Sequence, residues 1–131
     1  MFRRRKSDPL GRQMVLAIAA GRVAVGVCTL FATRPALGVL GFGETDPSGL
    51  ALAKLAGGRD LALGTVTLAL RGDPAALRTA ALAGAMLDGA DALTFVLATG
   101  APETRRAGLN GVLFGGAAAL AGLWAWGRLA P

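Results

Sequence analysis

The sequence predicts an all-α integral membrane protein, a four-helix bundle with both termini in the cytoplasm. Three observations carry this reading. Hydrophobic residues make up 53% of the 131-residue chain and charged residues only 17%, a balance too apolar for an ordinary soluble domain of this size. The apolar residues fall into four blocks of roughly 20, each long enough as a helix to cross a ~30 Å hydrocarbon layer. The basic residues gather on one side of the topology that results. A chain this long makes one domain. Spans are expected at 13–33, 48–70, 75–99 and 107–127, after a basic segment at 1–12. A soluble bundle is disfavoured because its helices need a polar face, and no charged residue occurs between Arg106 and Arg128.

Each helix has its own signals. The basic start of the chain (Arg3, Arg4, Arg5, Lys6, Arg12) reads as the flank of a retained signal-anchor helix. Arg22 interrupts the apolar run that follows, and no small-x-small cleavage site appears. Asp8-Pro9, Asp46-Pro47 and Asp73-Pro74 each combine a capping carboxylate with a first-turn proline, which starts a helix. Arg34-Pro35 is expected to end the first helix. Residues 35–45 read as a Gly-rich connector, too short to span. Arg71-Gly72 makes a tight hairpin. Gly57, Gly58 and Gly64 in the second helix, and Gly111-x-x-x-Gly115 in the fourth, allow close helix approach. Asn110 is the one strongly polar candidate inside the fourth helix, and Trp124, Trp126 and Arg128 sit where an interface is expected.

The charges left inside the spans are the candidate site. They are Arg22, Lys54 and Arg59 against Asp60, Asp88 and Asp91, three bases and three acids. At ~1.5 Å per residue, depth alone pairs Arg22 with Asp60, Arg59 with Asp88, and Lys54 with Asp91. Gly84, Asp88 and Asp91 step by four and three, so they share a helix face. Two neighbouring carboxylates tend to hold one proton between them, which suits proton exchange or a ligand's polar head. The same pairs would also serve only to fix helix register.

The octapeptide GGRDLALG at 57–64, followed by DGAD at 88–91, resembles a family of small, uncharacterised four-span membrane proteins of actinobacteria and fungi, similar in layout to the DoxX-like proteins. The resemblance covers about residues 15–127. It implies a fold and a site, and little about reaction.

Several function classes are excluded or narrowed. The chain has no His and no Tyr, so the commonest metal ligand and general base are missing; no metal and no cofactor are expected. A single Cys, Cys28, forbids an internal disulfide. The net charge of +6 is explained by the positive-inside rule, without a nucleic-acid partner. Three roles remain: binding of a small lipophilic molecule through Arg22, Lys54, Arg59, Asp60, Asp88 and Asp91; an accessory subunit of a larger membrane complex; and a small proton-coupled transporter, working as a homodimer. Against the last, the first helix carries Arg22 where small multidrug exporters use a membrane Glu. The expected location is the cell membrane, as a multi-pass protein of a bacterial inner membrane.

Orientation follows from the loops. With the N-terminus inside, Arg3, Arg4, Arg5, Lys6, Arg12, Arg71, Arg78 and Arg128 fall on the cytoplasmic side; Arg34, Arg105 and Arg106 fall on the other. Eight bases against three put both termini in the cytoplasm. A cysteine placed at Gly43 on a Cys28-free background is therefore expected to react with an impermeant maleimide only from outside. Labelling only from the cytoplasmic face would reverse the topology.

Overall fold

The computed structural model describes residues 8–129; the expected basic flank before Asp8 lies outside them. The described chain forms four long helices and one short one: α1 (Pro9–Phe31), α2 (Thr33–Leu40), α3 (Pro47–Ala69), α4 (Pro74–Ala98) and α5 (Arg105–Arg128). A 3-10 turn at Leu70–Gly72 joins α3 to α4. No strand occurs among the described residues.

The three Asp-Pro starts work as capped helix beginnings. Asp8 accepts from the Leu10 N–H at 3.0 Å, Asp46 from Gly49 at 2.6 Å, and Asp73 from Ala75 and Ala76 at 2.9 and 3.1 Å. Each carboxylate satisfies first-turn donors that have no partner within the helix. At α5 the start falls later than proline would set it. The Thr104 hydroxyl donates instead to the Ala98 carbonyl at 2.6 Å, folding the turn back on the end of α4.

The connector after α1 differs from expectation. The break falls at Ala32, with φ −130 and ψ 49, and not at Arg34-Pro35. Pro35 then sits in the first turn of α2, where its missing N–H has no helical acceptor to lose. Gly41 closes α2 with φ 97, a left-handed conformation that favours glycine. The Asn110 side chain of α5 donates to the Leu40 carbonyl at 2.9 Å, which fastens α2 to the far end of the molecule. Asn110 thus has a structural partner.

The helices pack as two antiparallel hairpins. In the first, α1 lies along α3; in the second, α4 lies along α5. Glycine makes both possible. A side chain added at Gly64 would stand 2.6 Å from the Ala19 carbonyl, and one at Gly26 would stand 2.7 Å from the Gly57 carbonyl. Gly111 and Gly115 face Phe95, Asp88 and Ala92 of α4, so that spacing serves contact within the molecule. Gly58 faces open space, against the expectation of a packing role. The hairpins meet through α1 and α5, while α3 and α4 approach each other at few points.

The burial pattern is small inside and large outside. Ala19, Ala81, Ala85, Ala107 and Ala125 are buried, whereas Phe31, Leu55, Leu97 and Leu120 are exposed at 70% or more. Water would penalise such a surface. Hydrocarbon would not, and there small residues bring helices together. α1, α4 and α5 are each long and apolar enough to cross a membrane; α3 is as long as α1 but carries Lys54, Arg59 and Asp60.

The end that carries Asp8 and Leu129, called here the terminal end, is the better packed. Val15, Leu77, Ala81, Ala125 and Leu129 form its buried cluster, with Leu16 and Trp126 against it. Asp8 pairs with Arg128 at 2.8 Å. The Leu10 N–H first, and the Arg128 guanidinium second, hold the Asp8 carboxyl below the usual carboxylate range.

Gly64→Val is expected to force α1 and α3 apart and destabilise by ~1–3 kcal/mol, the usual range for overpacking. Gly58→Ala is expected to be neutral or to stabilise by up to ~1 kcal/mol through helix propensity. Unfolding of the two variants in mild detergent checks the contrast.

Candidate functional site

Five charged side chains meet at mid-height of α1, α3 and α4. Arg22 of α1 is central. Its Nη1 donates to Asp60 Oδ1 at 2.8 Å, and its Nη2 reaches Asp88 Oδ2 at 2.6 Å and the Gly84 carbonyl at 3.1 Å. Arg59 of α3 grips Asp91 with both terminal nitrogens, at 3.1 and 2.5 Å. It also lies 3.7 Å from Asp60. The ion pairs run in an alternating line: Asp88, Arg22, Asp60, Arg59, Asp91.

Helix geometry explains the line. At ~100° per residue, Asp60 and Arg59 point a quarter-turn or so apart. Asp60 faces α1 and Arg59 faces α4. On α4 the i, i+3 spacing of Asp88 and Asp91 keeps both on the same side. Gly84, one turn before Asp88, lies against the Arg22 guanidinium: a Cβ there would stand in ordinary contact, 3.4 Å from Arg22 Nη2.

The structure brings five of the six expected site residues together and leaves Lys54 out. Lys54 is exposed, with no described carboxylate in ion-pair range. It stands five residues before Arg59, ~140° around the helix, so it projects from another face. The expected Arg22–Asp60 pair forms. The other two pairs are corrected: Arg59 takes Asp91, not Asp88, and Asp88 goes to Arg22. Depth alone missed this because helical side chains lean toward their helix's N-terminus. For α3 that is the far end, and Asp91 lies farther that way than Asp88. The role of Gly84 as acceptor was legible only as its place on the Asp88 face.

Removing Lys54 changes the charge count. Two arginines face three aspartates, so the line has a formal charge of −1 when all five are ionised. The two ends also differ in exposure. The Arg22 and Asp88 side chains are 10% and 12% exposed, while Arg59 and Asp91 are 35% and 34% exposed. The exposed end lies in the seam between α3 and α4. Arg59 Nε is covered and has no hydrogen-bond partner.

Below Arg22 and Asp88, toward the terminal end, a narrow cleft runs between α1, α3 and α4. Its walls include Val15, Ile18, Leu63, Ala81 and Ala85, and its cavity volume is about 30 Å³. That is room for one or two waters. The apolar space beside the charges thus lies on the terminal side. Among the described residues no group of His, Cys, Asp and Glu is arranged to hold a metal.

Comparison with protein-family models, curated proteins and solved structures finds no match to this chain.

The corrected pairing has a measurable consequence. In a double-mutant cycle, Arg59→Ala and Asp91→Ala are expected to be non-additive by ~0.5–3 kcal/mol, as for residues in contact. Arg59→Ala with Asp88→Ala is expected to show the smaller coupling. Reversible unfolding in mixed micelles gives both values, and the opposite order would restore the pairing by depth.

Proposed function

We propose that the chain is a four-span integral membrane protein with both termini cytoplasmic, and that it binds a small lipophilic molecule by its polar head at the seam between α3 and α4. One observation carries the proposal. The Arg59–Asp91 pair stands near the middle of α3 with each side chain about a third exposed. Arg59 is roughly 12 residues from Pro47 and 10 from Ala69, or ~15–18 Å from either helix end. In a four-span arrangement that is close to the bilayer centre. A charge there costs ~2.5–3.5 kcal/mol on insertion scales. A pair left partly open to hydrocarbon is favourable when something polar closes it, and intramembrane ionisable residues mark functional sites by default.

The chemistry of the occupant follows from the charge count. Three carboxylates and two guanidiniums favour a head group that is cationic or donates hydrogen bonds. A neutral acceptor would meet only the donors of Arg59. The molecule's apolar part would lie along the outside of the α3–α4 seam, because the cleft beneath Arg22 is too small to enclose it. Ligands held between helices of a bundle commonly use a few convergent polar groups in an apolar lining.

A second reading rests on the same open seam. A helix of a larger membrane complex, carrying one basic or donor side chain, would close it equally well. The two readings separate on purification in mild detergent: a bound small molecule in the organic extract supports the first, and a stoichiometric membrane partner supports the second.

Asp91→Asn keeps the shape of the side chain and removes its charge. The variant is expected to insert and fold, and to lose at least tenfold in ligand affinity. Ligand co-purification and thermal stability of wild type and variant, measured side by side, check this. An Asp91→Asn protein that holds its ligand with unchanged affinity from pH 5 to 8 would leave the ion pairs with a purely structural role.

A further inference from the structure

We propose that a second site, at the terminal end between Arg12 and Arg71, binds the phosphate of an anionic membrane lipid. A cavity of about 80 Å³ lies there between the first turns of α1, the turn that joins α3 to α4, and the start of α4. It is larger than the mid-height cleft. On a measure by which ~10–15 Å³ holds one water, the cavity admits a group of a few heavy atoms. Its walls are Arg12, Arg71, Gly72, Pro74, Leu77 and Leu129. Two exposed arginines, Arg12 and Arg71, therefore flank a small space of the size a phosphate needs.

The donors are available. Arg12 spends one N–H on the Arg71 carbonyl at 3.0 Å, and Arg71 spends one on the Leu68 carbonyl at 3.3 Å. Each guanidinium has five N–H groups. No described carboxylate lies within ion-pair range of either. The acids nearby are committed elsewhere: Asp73 caps α4 and Asp8 pairs with Arg128. Planar guanidiniums suit phosphate oxygens better than ammonium groups do.

The surroundings favour a lipid over free phosphate. Arg78 and Arg128 stand over the rings of Trp126 and Trp124, at 4.6 and 5.0 Å to the centroids. Arginine and tryptophan together are typical of the headgroup level, and basic pockets between helices on the cytoplasmic side hold anionic headgroups. Leu77 and Leu129, both buried, close the floor of the cavity. This site rests on the membrane topology proposed above, but it is separate from the α3–α4 seam and does not depend on a ligand there.

The test is a thermal-unfolding titration of the full chain in neutral detergent. Phosphatidylglycerol is expected to raise the unfolding midpoint saturably, and phosphatidylcholine is not. Arg71→Gln is expected to raise the half-saturating phosphatidylglycerol concentration roughly fivefold, and Arg12→Gln with Arg71→Gln roughly 25-fold, about a factor of five per arginine. Arg71→Gln keeps the Arg71 carbonyl that receives Arg12, so it leaves the local fold in place. If the double variant does not fold, the single one decides. Equal shifts with the two lipids, or an unchanged half-saturation in Arg71→Gln, would overturn the proposal. A shift of the same size with inorganic phosphate alone would overturn the lipid assignment, since the occupant would then be a soluble phosphate.

Discussion

The Arg22 guanidinium holds the middle of the molecule together. It belongs to the α1–α3 hairpin through Asp60 and to the α4–α5 hairpin through Asp88 and the Gly84 carbonyl. Within each hairpin, glycine lets backbones meet. Between α3 and α4 there is little direct packing, so the arginines do the joining. Removing one partner of a buried pair in a soluble protein costs about 3–5 kcal/mol, because the other charge is stranded. Loss of Arg22 would strand two carboxylates at once. In a membrane the penalty is softened where polar groups find substitute partners, but among the described residues Asp60 has only Arg59 as a second cation in ion-pair range and Asp88 has none.

Other links join the hairpins at their ends. At the terminal end the turn at Leu70–Gly72 makes a covalent link, Asp8 meets Arg128, Arg12 meets the Arg71 carbonyl, and the Val15–Leu77–Ala125–Leu129 cluster fills the space. At the far end Asn110 ties α2 to α5, and the Phe42 and Phe95 rings lie 6.4 Å apart. Apolar packing and neutral hydrogen bonds suffice at the far end. At mid-height, where helices α3 and α4 stand apart, the link is ionic.

The sequence revealed helices better than partners. Asp-Pro at three places located three helix starts, because a carboxylate cap and a proline at N1 act locally and need no tertiary information. The end of α1 was less legible: a proline can end one helix or sit in the first turn of the next, and the Asn110 bond that holds α2 comes from 70 residues away. The six charged residues were visible as misfits in apolar blocks. Their pairing needed two further coordinates, the azimuth around each helix and the lean of the side chain along it. Azimuth separates Lys54 from Arg59. Lean carries Arg59 past Asp88 to Asp91. Both follow from helix geometry once the helix neighbours are known, and the neighbours are what the sequence alone leaves open.

The seam between α3 and α4 is also a place where the described helices could part without breaking a closely packed interface. Separating α1 from α3 would pull apart Gly26, Gly57 and Gly64 from backbone atoms they touch closely. Separating α4 from α5 would do the same at Gly108 and Gly115. Parting α3 from α4 breaks chiefly the Arg59–Asp91 pair, which is the more exposed end of the ion-pair line. A polar head group inserted there would replace charge contacts with charge contacts, leaving both hairpins whole. Arg22 and Asp88, behind it and nearly covered, would keep the two halves in register. On this argument the two arginines divide the labour: Arg22 fixes the frame, and Arg59, which shares Asp60 with it, is the one free to change partners.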